Sequence, residues 1–232
     1  MAINVTLEEL LEAGAHFGHQ VKRWNPKMSP FIYGKQDGVH VFDLVKTREA
    51  LLAALEVLKD YKKQGKVVLF VGTKNQAREI VKKVAEEVGC PYVVERWLGG
   101  TLTNFEQIRR TVRRLQDLKK KVTGGEFENY TKKEKLGIAQ DIDKMQRSFG
   151  GITSLEKLPD LLFIIDTHKE NTAVREANYV GVKTMGIVDS NSDPEIITWP
   201  IPMNDDSNKS IELVMELVRQ VLTVKSKGKS KK

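Results

Sequence analysis

Three stretches of this 232-residue chain carry residue types suited to chemistry. The first is RWLGGTLTNF, residues 96–105. A glycine pair ahead of a threonine-rich helix start is where many proteins cradle a phosphate, because exposed backbone N–H groups and the positive end of the helix both favour an anion. The second is VGTK at 71–74, where Thr73 and Lys74 stand at the mouth of a helix and offer the same chemistry, although a capped helix with an exposed lysine is the simpler reading. The third is AHFGH at 15–19. Its His16 and His19, with Asp189, Asp193, Asp205 or Asp206, would make a nitrogen and oxygen metal site if the fold gathers them. Spacing does not decide that, and structural histidines with loop-capping aspartates are the simpler reading. His40 and His168 complete the histidines without an evident acid–base partner. No GxGxxG follows a strand, and GxxxxGK[ST], GxSxG and HExxH are all missing.

A different chemistry is written in KRWNPKMSPFIYGK, residues 22–35. Lys22, Arg23, Lys27 and Lys35 meet no acid there, and Trp24, Phe31 and Tyr33 are interleaved with two prolines. Cations neutralise phosphates and planar rings stack on bases, and proline stiffening lowers the ordering cost of binding. Aromatic residues in a loop also plug cores. Both readings stand from the residues alone.

The elements that must position these groups follow from periodicity. Apolar runs at VHVF (39–42), VVLFV (67–71), PYVV (91–94), LLFIID (161–166) and KTMGIVD (183–189) alternate with helical stretches, which predicts a doubly wound, three-layer α/β fold around a parallel sheet. Thr paired with Glu or Gln three residues on marks helix starts at Thr6/Glu9, Thr73/Gln76, Thr103/Glu106 and Thr131/Glu134. The link from PYVV to LLFIID is far longer than an ordinary crossover. Within it Phe105, Ile108, Val112, Leu115 and Val122, then Ile138, Ile142, Met145 and Phe149, keep a three-four spacing on either side of Gly124-Gly125. The pattern predicts an antiparallel coiled-coil hairpin. The expected division is an α/β body over 1–101 and 150–224, an inserted hairpin over 102–149, and a disordered basic tail over 225–232.

Charge sharpens this. The net charge of +7 is unevenly spread, with a basic hairpin, an acidic 150–224 region and five lysines in the last eight residues. Arg109, Arg110, Arg113, Arg114, Lys119, Lys120 and Lys121 crowd one helix against Asp117, which favours a phosphate-contacting arm over a solvated face. The acidic region suits a protein-facing side. Apolar runs are too short to span a bilayer, and the N-terminus lacks a signal-peptide layout. Cys90 is alone, so an intrachain disulfide and a cysteine-rich zinc site are excluded, and a reducing cytoplasm or organelle interior is expected.

The blocks LLEAGAHFGHQVKRWNPKMSPFIYG, FVGTKNQA, RWLGGTLTNFEQIRR, FGGI, LPDLLFIID, GIVDSNSDP and IPMNDD, in this order over residues 3–222, closely resemble the bacterial-type small-subunit ribosomal protein S-two family. The chain departs from the family's usual Gly-Ile-Pro run at Gly181-Val182-Lys183 and in its short, lysine-rich tail. The resemblance implies a Rossmann-like body with an inserted coiled coil and a non-enzymatic role within the cytoplasmic small ribosomal subunit. Its implied partners are small-subunit rRNA and neighbouring ribosomal proteins, including the mRNA-binding protein of repeated OB domains. Neither a membrane nor an obligate homo-oligomer is expected. RNA contacts are expected at Lys22, Arg23, Trp24, Asn25, Lys27, Arg96, Trp97, Thr101, Asn104, Arg109, Arg110, Arg113 and Arg114. No cofactor is expected; a structural divalent metal at His16, His19, Asp189 and Asp205 is carried as the minor alternative. The competing functions are an α/β nucleotide-binding enzyme using the strand ends near Gly72, Thr73 and Asp166, and an adaptor that grips protein alone.

Overall fold

A computed structural model describes residues 4–223; the tail expected over 225–232 lies outside the described residues. Burial periodicity sorts the strands into two sheets. β1 (Phe17–Gln20), β2 (Ile32–Gln36) and β3 (Val39–Phe42) form an antiparallel sheet in the order β1-β3-β2. β3 alternates half-buried and buried residues, the mark of a sheet covered on one face. This corrects the expectation that VHVF joins the parallel strands.

The central sheet contains β4 (Val68–Val71), β5 (Tyr92–Val93), β6 (Leu161–Ile164), β7 (Lys183–Val188) and β8 (Trp199–Pro202), all parallel, in the order β5-β4-β6-β7-β8. Every residue of β4 and β6 is buried, because helices cover both faces. The chain runs outward from β4 to β5 and then to β6 on the other side. This reversal places the switch point of a Rossmann-like, doubly wound α/β fold between β4 and β6. The apolar pattern does not mark β8 because Pro200 and Pro202 break it; as an edge strand it needs a ladder on one side only.

Strand alternation assigns the two cores. Phe70, Leu161, Phe163, Met185 and Ile187 face α1 (Leu7–Glu12), α2 (Leu44–Lys63), α3 (Asn75–Val88) and α7 (Asn208–Thr223). Leu69, Val71, Leu162, Ile164 and Val188 face the opposite way, towards α6 (Asn171–Val180) and the base of a helical hairpin made of α4 (Phe105–Thr123) and α5 (Lys132–Phe149). The hairpin leans on the body only at its root. α4 buries Val112 and Leu115, and α5 buries no residue. Along the shaft, Lys119 Nζ donates to Gln146 Oε1 at 2.5 Å, so the helices run antiparallel.

Two of the four expected capping boxes form, at Thr6 with Glu9 and at Thr131 with Glu134. The other two do not. Lys74 is the N-cap of α3 and Asn104 that of α4, neither with a side-chain cap, since Thr73 and Thr103 give their hydroxyls to buried glutamates instead.

Candidate functional site

The glycine pair meets an anion supplied by the protein itself. Glu176, on α6 and 8% exposed, points its carboxylate into the loop. Oε1 accepts from Trp97 Nε1 at 3.1 Å and from the Gly100 N–H at 2.8 Å. Oε2 accepts from the N–H groups of Leu102 at 2.9 Å and Thr103 at 3.2 Å and from the Thr103 hydroxyl at 3.2 Å. Burial alone would raise this carboxyl's pKa, and the Leu102, Gly100 and Trp97 donors outweigh it, holding the pKa below its ordinary value. Gly100, at φ +91°, turns its N–H inward in a conformation that side chains resist. The anion-binding reading of the loop therefore holds, but its occupant is Glu176. Trp97 is 7% exposed and Thr101 is buried with its hydroxyl on the Leu98 carbonyl. Both are committed to bonds within the protein at the hairpin root.

The strand-end crevice is likewise filled. At the ends of β4 and β6, Glu170 Oε1 accepts from the Thr73 N–H at 3.1 Å and hydroxyl at 2.5 Å; burial pushes the Glu170 pKa up. Lys74 Nζ lies 2.6 Å from Asp205 Oδ1, 2.5 Å from Asp206 Oδ1 and 3.2 Å from Asp166 Oδ2. Desolvation opposes the Lys74 charge, and Asp205, Asp206 and Asp166 overcome it, so its pKa is raised. Burial and the neighbouring Asp189 and Asp166 push Asp205 well up despite Lys74. A nucleotide phosphate here would face five carboxylates.

The histidines divide. His19 Nδ1 lies 3.0 Å from Asp189 Oδ1 and its Nε2 3.5 Å from Asp206 Oδ2; the Asp189 contact raises its pKa against desolvation. Ligand atoms of His19, Asp205 and Asp206 fall within 4.8 Å of one another, and Asp205 Oδ2 is buried without a hydrogen-bond partner. His16 is elsewhere, against Phe17 at 4.0 Å. Asp189 is committed to Ser190 and to the Asp205 N–H. The set His16, His19, Asp189 and Asp205 is therefore not assembled as expected, and the ammonium of Lys74 already occupies the contacts to Asp205 and Asp206 that a metal would need. These residues do not fit a resident metal while Lys74 keeps its place.

The 22–35 loop resolves the two readings left open by its sequence by using both. Met28 is fully buried and Phe31 packs beside it in the α6-side core, while Lys22, Arg23, Tyr33 and Lys35 are exposed. Asn25 caps a short turn by accepting from the Lys27 N–H at 3.1 Å. Lys27 is tied to Asp193 at 2.8 Å and Glu195 at 2.6 Å. Trp24 stacks on His40 at 4.7 Å, with 26° between the planes, so one face of the indole is taken. His40 has neither ring nitrogen hydrogen-bonded, and burial lowers its pKa.

On α4 the picture is simpler. Arg110, Arg113 and Arg114 are exposed and line a shallow groove with Asp117, Leu118 and Lys121. Among the described residues Arg109 pairs only with Glu106, at 3.8 Å. Arg96 is exposed beside the loop. The hairpin root and the 22–35 loop belong to one core: Met28, Trp97, Leu102, Val112 and Ile197 pack in the same cluster. The acidic surplus of residues 150–224 is largely internal, since Asp166, Glu170, Glu176, Asp189 and Asp205 are buried. Glu156, Glu195, Asp206 and Glu212 remain exposed.

The fold and these filled crevices define an α/β scaffold with a basic helical arm, in which the usual ligand positions of a doubly wound sheet are closed by the protein's own side chains. The family model described as "Ribosomal protein S2" matches residues 10–223, and the chain belongs to that family, one of ribosomal proteins rather than enzymes. It is 43% identical over 225 residues to the small ribosomal subunit protein uS2 of Coprothermobacter proteolyticus, covering 97% of this chain and 84% of the relative. The protein of the same name from Rhodospirillum rubrum is 47% identical over 213 residues, 92% and 81%. That from Roseiflexus sp. is 47% identical over 210 residues, 90% and 80%. No helix among the described residues is long and apolar enough to cross a membrane.

Proposed function

We propose that the protein is a structural component of the small ribosomal subunit that binds rRNA through one continuous face. That face is made by the exposed cations of the 22–35 loop and the α4 arginines. The observation that carries this reading is the shared core beneath them: Met28 and Phe31 under the loop pack in one cluster with Leu102, Phe105 and Val112 under the arm. The body therefore fixes the spacing of two phosphate-binding elements. Arg110, Arg113 and Arg114 form no ion pair within 4.0 Å among the described residues, whereas Lys27 does. The α4 cations are thus available to a polyanion, and Lys27 is only partly so.

The chain is read as an α/β body over 1–101 and 150–224 with an inserted hairpin over 102–149. Family membership supports a second role, scaffolding neighbouring small-subunit proteins, the OB-repeat mRNA-binding protein among them. The test is sedimentation. The protein is expected to run with small subunits at low salt and to leave them as salt rises, because phosphate contacts release counterions. Salt-independent association would favour the adaptor that grips protein alone, and stabilisation by a free nucleotide would favour the enzyme.

A further inference from the structure

Where α4 leaves the body there is a cleft of about 560 Å³. Leu102, Phe105, Leu158 and Val180 give it an apolar floor, and Asn104 and Arg109 stand on its rim. Leu102 is 2% exposed and its N–H is held by Glu176, so the floor is anchored to the body. Asn104 occupies the N-cap of α4, yet its side chain caps no N–H of the helix. Its amide, both donor and acceptor, is thus left on the rim without the task usual at that position. Glu106, Glu156 and Lys157 also line the cleft, and Lys157 lies 3.7 Å from Asp160.

The mixture of groups specifies a ligand. Carboxylates on the rim discourage a phosphate from entering. An apolar floor under amide and carboxylate groups suits a flat heterocycle, whose face is apolar and whose edge carries donors and acceptors. Arg109 begins the row that continues with Arg110, Arg113 and Arg114, where phosphates on either side of such a base would lie. We propose that this cleft receives one nucleobase extruded from an RNA strand, with the edge read by Asn104 and the flanking phosphates on Arg109 and Lys157. The assignment rests on the RNA-binding reading above and adds a base-recognition subsite to it.

The experiment uses the full chain and small-subunit rRNA in binding titrations over a range of salt, with Asn104→Trp to fill the mouth and Asn104→Ala to remove the edge contact. Circular dichroism and urea unfolding check both folds. Displacing a stacked, edge-bonded base costs roughly tenfold or more in affinity. Asn104→Trp should therefore bind about tenfold more weakly and Asn104→Ala a few-fold more weakly, both with the salt slope of the unaltered protein, since no phosphate contact is lost. Equal affinity for all three proteins would overturn the proposal while leaving RNA binding intact. Loss of slope along with affinity would also overturn it, by locating the damage in phosphate contacts. If Asn104→Trp binds naked rRNA normally but fails to enter subunits, the occupant is a protein side chain and the base is excluded. An unaltered protein that shows no salt-dependent binding would sink the RNA reading itself, and the subsite with it.

Discussion

Glu176 Oε1 accepts a hydrogen bond from the indole of Trp97 at 3.1 Å, tying α6 to the loop from which the basic arm departs. The same carboxylate takes the N–H groups of Gly100, Leu102 and Thr103. One buried anion thereby sets how the hairpin leaves the body, and with it the distance between the arm and the 22–35 loop.

Replacing Glu176 by Gln keeps the shape but turns an NH₂ group towards donors. Each buried N–H left unpaired costs about 1–3 kcal/mol, so Glu176→Gln should lose about 2–3 kcal/mol in urea unfolding. Amide exchange should accelerate first at Gly100, Leu102 and Thr103. An unchanged midpoint with unchanged exchange would remove Glu176 from its role as the clamp.

The same group predicts a pH response. Its folded pKa is depressed, so its contribution is present above the unfolded value and is lost as pH falls through the folded one. Stability should be insensitive to this group near neutrality and should decline at acid pH below the ordinary glutamate range. The Trp97 indole ¹⁵N–¹H resonance should report that acid transition, and in Glu176→Gln it should be absent. A Trp97 signal that titrates only near neutrality would contradict the assignment.

Lys74 is the counter-ion of the strand-end crevice. Breaking a buried ion cluster by removing one partner costs about 3–5 kcal/mol; because Asp206 is more than half exposed, Lys74→Met should fall near the lower end, about 3 kcal/mol. The variant also exposes His19, Asp205 and Asp206 to any cation. Millimolar zinc should therefore raise its melting temperature while leaving the unaltered protein unmoved. Equal zinc responses in the two proteins would show that Lys74 does not exclude a metal.

Much of this was legible in residue order. Continuous apolar runs identified β4, β6 and β7, and three-four spacing identified both hairpin helices, because these signals are local. β8 was hidden by Pro200 and Pro202, which only an edge position tolerates. VHVF does not reveal its sheet, since four residues carry period but no partner. The site was harder to read. Trp97 and Thr101 look like RNA contacts in sequence, but Glu176, 79 positions from Trp97, claims one, and both are buried. The Lys74 cluster draws on Asp205, 131 positions away, and on its neighbour Asp206, a separation no spacing rule spans. The exposure of Arg110, Arg113 and Arg114 is legible because an exposed helix face is set by the helix alone.

The central claim is that the α4 arginines bind rRNA phosphates. Its most direct test is the salt dependence of rRNA binding by the variant with Arg109, Arg110, Arg113 and Arg114 all changed to Ala. Exposed helix charges contribute little to stability, so the variant should unfold at the same urea concentration as the unaltered protein. Each lost phosphate contact flattens the plot of log K against log salt by about 0.7–0.9, so the slope should fall by about three and affinity at low salt should drop by orders of magnitude. A variant that folds, binds and responds to salt as the unaltered protein does would contradict the account.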